Sequence, residues 1–128
     1  MKIIGLVARI FLGLIFLVFG LNGFLHFLTL PHEDGLASQF MGALFLSHYL
    51  SVVYFLELAG GLLLLVNRLV PLALVVLGPI VVNILFFHAL MAPQGIPLAL
   101  GTTVLFLLAV WSNRHYFEPV FTLVPEEL

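Results

Sequence analysis

Apolar residues run along this chain in four long stretches separated by short polar breaks: Ile3–Leu28, Leu50–Val66, Leu69–Leu90 and Pro97–Trp111. A helix that crosses a bilayer needs about 20 predominantly apolar residues. The fourth stretch is short by this standard and would reach further if Ser112–Arg114 extended it. None of the four alternates with a period of two, which excludes a membrane barrel. Asn67-Arg68 makes a tight turn between the second and third stretches. Pro93 and Gly95 break the third from the fourth, and Pro97 suits a first helical turn, where no amide partner is lost.

A shorter segment, Leu36–His48, cannot span. It places Leu36, Phe40, Met41, Leu44 and Phe45 on one helical face, which predicts an amphipathic helix lying in the membrane interface, with Asp34 or Gly35 as its cap. The tail 113–128 carries Tyr116, Phe117 and Phe121 among three glutamates. Trp111 and Tyr116 suit an interfacial aromatic belt. The expected fold is all-α: one integral membrane domain over 1–128, a bundle of four membrane-spanning helices with an interfacial helix between the first two.

Composition supports this pattern. Of 128 residues, 63% are hydrophobic and 8% charged, with a mean hydropathy of +1.29. A soluble domain carries about a quarter charged residues, so a water-soluble enzyme is excluded. Four Lys and Arg cannot form a nucleic-acid footprint. The absence of cysteine removes thiol chemistry, thiolate metal sites and iron–sulfur clusters. The first stretch is too long for a secretory signal core and reads as a retained span. Lys2, Arg9, Arg68 and Arg114 all fall on one side of the drawn topology, and Glu33-Asp34 on the other. The positive-inside rule then predicts both termini in the cytoplasm.

Polar residues inside the spans are candidates for function. Asn22, Glu57, Asn83 and Thr102-Thr103 each lie five to seven residues from the outer end of their span, roughly 8–11 Å deep at about 1.5 Å per residue. Four helices thus contribute to one polar layer. His26 and His88 lie nearer the outer surface. Asn22 and His26, four apart, share a face. His88 stands about 140° round the helix from Asn83. Pro79, four before Asn83, is expected to kink its helix and free a carbonyl beside the layer.

Each candidate has a structural alternative. Glu57 either holds a ligand or proton, or is a neutral carboxyl bonded to Asn22 or Asn83 that keeps the bundle in register. The asparagines suit interhelical hydrogen bonds, and the threonines suit bonds to their own helix. Arg9 suits an inner-leaflet position with its head at the cytoplasmic surface. Gly5, Arg9, Gly13, Gly20 and Gly23 fall within roughly 80° of one another. That stripe and Gly60-Gly61 are packing faces. Haem between His26 and His88 has no attachment motif to support it. Zinc would need Glu57 or His32 as a further ligand. No metal is expected and no cofactor is assigned, with quinone the best candidate.

The runs Arg9…Leu12-Gly13…Phe19-Gly20 and Glu57-Leu58-Ala59-Gly60-Gly61 resemble the DoxX family of small bacterial membrane proteins. So do Asn22-Gly23-Phe24-Leu25-His26, Leu69-Val70-Pro71-Leu72-Ala73-Leu74 and Asn83-Ile84…Phe87-His88. The likeness covers about Ile3 to Trp111. It implies a four-helix bundle in the bacterial cytoplasmic membrane. It also implies a link to thiosulfate:quinone oxidoreductase and to membrane-associated oxidoreductase assemblies, with Arg9 and Glu57 at the family's charged positions. Where many members carry a Lys shortly after the glycine matched by Gly20, this chain has Asn22-Gly23.

Three functions fit these residues. The first is an accessory or binding subunit that holds a quinone or lipid head among Asn22, His26, Glu57 and Asn83. It would sit in the bilayer beside other integral membrane proteins or a second copy of itself. The second is a scaffold packing against larger membrane proteins through the glycine stripe and apolar outer faces. The third is a quinone-linked oxidoreductase subunit in which Glu57 and His26 carry protons. No catalytic residue is assigned, and the isolated chain is not expected to be an enzyme.

Overall fold

The computed structural model describes residues 2–29 and 33–127; His32 and the last tail residue, Leu128, lie outside them. The described residues are helical without strands: α1 (Lys2–Leu25), α2 (Gly35–Leu46), α3 (Tyr49–Val66), α4 (Val70–Leu90) and α5 (Ile96–Ser112). Short 3-10 turns cover Pro93–Gly95, Arg114–Tyr116 and Glu118–Phe121. Four helices are long and apolar enough to cross a membrane, and at most 33% of any span is buried inside the bundle. Their outer faces carry Phe11, Phe55, Leu72, Phe86 and Leu107, a surface compatible with lipid rather than water.

The four spans close into a ring. α1 packs on α3 and α5, and α4 packs on α3 and α5. Chain neighbours run antiparallel, as short connections dictate. The α1–α3 contact is the most extensive, and glycine makes it. A Cβ on Gly61 would stand 2.7 Å from the Leu17 amide nitrogen and 2.8 Å from the Gly13 carbonyl oxygen. Two turns further along α1, a Cβ on Gly20 would stand 2.9 Å from the Leu58 nitrogen and 3.1 Å from the Tyr54 carbonyl oxygen. Lipid gives helices no hydrophobic drive to associate, so close backbone approach through small residues supplies the attraction.

The glycine stripe is therefore used inside the chain. Gly13, Gly20 and Gly23 face α3, while Gly5 lies against Ser112 of α5. These close approaches occupy the stripe within the bundle, while the apolar outer faces of the helices stay exposed. With the end that carries α2 and the α4–α5 turn termed outer and the opposite end inner, the apolar core fills the inner and middle parts of the bundle, with Leu12, Phe16, Leu64, Leu74 and Leu77 at its centre. Buried polar side chains, Asn22, Glu57 and Thr102, all belong to the outer half.

Element ends differ from the sequence expectation for local reasons. α1 stops at Leu25 rather than Leu28, because His26 turns left-handed (φ 54°) and the Asn22 side chain receives the Leu28 amide. α3 ends where Asn67 (φ 57°) returns its amide to Leu63 and Leu64. The fourth span is completed on its outer side by Pro93–Gly95 and on its inner side by Ser112. α4 runs unbroken through Pro79.

Enlarging Gly61 should be costly. Gly61→Ala puts a methyl against backbone that cannot move aside, with an expected loss of about 1–3 kcal/mol. Gly101→Ala, with nothing within 4 Å of the added carbon, should be neutral. Thermal denaturation of the purified variants in detergent, followed by size-exclusion chromatography, checks the contrast.

Candidate functional site

The helical geometry of α3 fixes where Glu57 points. Gly61 touches α1 and Gly60 touches the Leu77 side chain of α4. At about 100° per residue, Glu57 lies between these two directions, roughly 60° from one and 40° from the other. It therefore projects into the seam between α1 and α4, toward the bundle axis. The residue is 6% exposed. Its Oε2 is the buried side-chain oxygen or nitrogen that lacks a hydrogen-bond partner among the described residues. An unmet buried acceptor is costly, so such a group is retained only where something compensates it.

Neither asparagine supplies the partner. Asn22 stands two residues, about 200° round α1, from Gly20, which faces α3. Its Oδ1 instead accepts the Leu28 amide at 2.6 Å, so it shapes the chain's exit from α1. Asn83 lies on the exposed side of α4 and donates through Nδ2 to the Pro79 carbonyl at 2.7 Å. Pro79 and Asn83 share an outward face, so the prolyl position borders no polar core. Thr102 and Thr103 bond the Leu98 and Ala99 carbonyls of their own helix, at 2.9 and 2.8 Å. The four-helix polar layer expected from depth alone does not converge, because depth does not specify direction around a helix.

Arg9 donates through Nη1 to the Leu64 carbonyl near the inner end of α3. There the guanidinium shares a carbonyl of the last helical turn with the Asn67 amide and meets the negative end of the helix dipole. It is a clamp between α1 and α3, about five turns from any role beside His26 by sequence position. His88 is also structural. Its ring lies on Gly95, Nδ1 is 3.1 Å from the Ala92 carbonyl oxygen, and its neighbour Phe87 packs on Phe40 of α2. His26 and His88 are thus committed to different parts of the outer end. Among the described residues no three His, Asp or Glu side chains gather to hold a metal.

His26 leaves the helical face it was expected to share with Asn22 and joins a different set. A cavity of about 230 Å³ opens at the outer end between α1, α2 and α3. Its walls include Gly23, His26, Phe45, His48, Ser51 and Tyr54. Tyr54 fills the notch left by Gly23 and packs edge-on to Phe24, ring centroids 6.1 Å apart. Glu57 lies on α3 one turn deeper than Tyr54. Helical side chains lean toward the N-terminus, which for α3 is the cavity end.

Sequence reasoning missed His48, Ser51 and Tyr54. The signal was present in Ser47-His48-Tyr49, a polar interruption between two apolar runs. His48 adopts φ 62°, a conformation uncommon outside glycine, and this turn aims the start of α3 back at α1. No family model matches this chain, and neither does any curated protein or solved structure.

The two asparagines should respond differently. Asn22→Ala frees the Leu28 amide and is expected to cost about 1 kcal/mol. Asn83→Leu replaces an outward amide with an apolar side chain and should leave stability unchanged or raised. Denaturation midpoints of the two variants in the same detergent measure this.

Proposed function

We propose that this chain is a binding subunit of the membrane: it holds the polar head of a quinone or lipid at the outer end of a four-helix bundle. The observation that carries this reading is the cavity between α1, α2 and α3, where His26, His48, Ser51 and Tyr54 stand beside the apolar Phe45, Leu46 and Leu50. Drug-sized ligands occupy pockets of about 300–1,000 Å³. A cavity of about 230 Å³ suits a head group whose tail remains in lipid. His26, His48, Ser51 and Tyr54 give and accept hydrogen bonds, which orients such a head without covalent chemistry.

The setting is a bacterial cytoplasmic membrane with both termini inside, and the cavity then faces the outer leaflet. Lys2, Arg9, Arg68 and Arg114 gather at the end where Gly5 meets Ser112 and Arg9 meets Leu64. Glu33 lies at the other end, where Gln94 donates to it. The DoxX resemblance is consistent with an accessory place beside a redox complex. The broad apolar outer faces of the helices give larger membrane proteins, or a second copy, a surface to meet.

Filling the cavity tests the site. Ser51→Trp should lower the quinone or lipid retained by gently purified protein, measured by mass spectrometry, while Asn83→Leu should leave it at the wild-type amount. Equal retention by Ser51→Trp would discard the cavity as the binding place. Orientation is tested by introducing single cysteines, which this cysteine-free chain makes unambiguous. Ser38→Cys should react with an impermeant maleimide in intact cells, and Thr122→Cys only after lysis.

A further inference from the structure

Beyond the end of α5 the chain turns back along the bundle. Phe117, Val120 and Phe121 line one groove with Val75 and Gly78 of α4 and with Phe106 and Val110 of α5. Phe117 also packs on the apolar core. The groove has a volume of about 300 Å³. It reaches from the inner end to Gly78, eight residues past the start of α4, which is about 12 Å at 1.5 Å per residue. Independently of the outer cavity, we propose that Phe117–Phe121 lies as a re-entrant arm in the leaflet at the inner end, and that this arm, α4 and α5 together seat one acyl chain of a phospholipid.

Three observations carry the proposal. Val75, Val120 and Phe121 are 56%, 73% and 80% exposed, so the groove opens on the flank where α4 and α5 meet lipid. Holding these side chains in water would forgo about 25 cal/mol for each Å² of apolar surface. Second, the arm carries its own backbone partners, which irregular chain needs at membrane depth. The amides of Tyr116, Phe117, Val120 and Thr122 donate to the carbonyls of Asn113, Arg114, Phe117 and Pro119 at 3.0–3.2 Å, and Pro119 has no amide to satisfy. Glu118 stays exposed, as the polar positions of an interfacial segment do. Third, the size of the groove selects its occupant. Spread over its length, the volume gives a cross-section of about 25 Å², about a quarter of that of a helix 10–12 Å across. A polymethylene chain enters such a slot, and the helix of a partner protein does not. The residues that line it are all apolar, so the groove selects the chain and not the head group.

The experiment uses the full chain in phosphatidylcholine nanodiscs doped with a phosphatidylcholine that bears a diazirine midway along one acyl chain. Adducts formed on illumination are mapped by peptide mass spectrometry. They should be enriched on Leu74–Gly78 and Phe106–Phe121 over Phe11, which is 55% exposed and about 14 Å from the inner end of α1. Gly78→Phe fills the groove and should lose the enrichment. Gly78 tolerates a side chain, since an added Cβ meets only the tip of Phe106 at 3.4 Å. Should Gly78→Phe fail to fold, Val75→Trp at an exposed position gives the same reading. Val104→Trp, about 120–160° round α5 from Phe106 and Val110, should keep the enrichment. Equal labelling of Phe11 and the groove in the wild type, or enrichment that survives in both filled variants, overturns the acyl-chain site. A dimer in native mass spectra that Val75→Trp dissolves assigns the groove to a second copy and overturns it too. The arm is read separately. With the one tryptophan removed by Trp111→Phe, Phe121→Trp should be quenched by lipid brominated along the acyl chain and shielded from acrylamide. The opposite pattern places the arm in water and overturns the re-entrant reading, while the outer cavity stands or falls by its own test.

Discussion

The architecture depends on the place where two backbones meet without side chains between them. Gly13 and Gly61 bring α1 and α3 into main-chain contact, and Gly20 repeats the approach two turns away. In lipid this closeness is the main source of attraction between apolar helices. It also sets rotation. Once Gly61 is turned to α1, Gly60 must face α4 and Glu57 must enter the seam between them. The carboxyl is not inserted by a separate device; it follows from the helix being locked in one orientation by its glycines.

The two ends of the bundle are built differently. At the inner end, Arg9 joins the end of α3, Gly5 admits Ser112, and large aliphatic and aromatic side chains fill the space. At the outer end, the chain leaves α1 through a left-handed histidine, crosses the surface as α2, and re-enters through a second left-handed histidine. Few contacts hold α2: Ala37 is its one buried residue, Phe40 meets Phe87, and Glu33 meets Gln94 through the preceding loop. An open, polar-lined space is left where packing is least complete. The buried polar residues and the cavity share that half of the molecule.

Much of the fold was legible in the chain. The four long apolar helices, the short helix between the first two, the Asn67-Arg68 turn and the proline at the start of the last long helix follow from hydropathy and local backbone preference. The glycine stripe was visible too, though not which helix would receive it. The site was less legible. Asn22, Glu57, Asn83 and Thr102 share a depth by residue count, yet Asn22 bends a loop, Asn83 faces outward and Thr102 bonds its own helix. Counting residues along a span gives height, and only packing gives azimuth. His48 and Tyr54 escaped attention because the polar break Ser47-His48-Tyr49 marks a turn without telling which space that turn lines.

The sequence by itself determined that this is an all-α chain with four helices able to cross a membrane, their order, their lengths and the asymmetry of charge between the two ends. Those properties are set by each segment's own composition and need no neighbour. The tertiary structure alone decided which polar groups share a space. It turned Arg9 to a helix end and His88 to a turn, and it drew His26, His48, Ser51 and Tyr54 around one cavity above Glu57. Such convergence depends on helix rotation and on two left-handed turns. Rotation is fixed by contacts between segments distant in the chain, as Gly13 with Gly61, and no single segment encodes it.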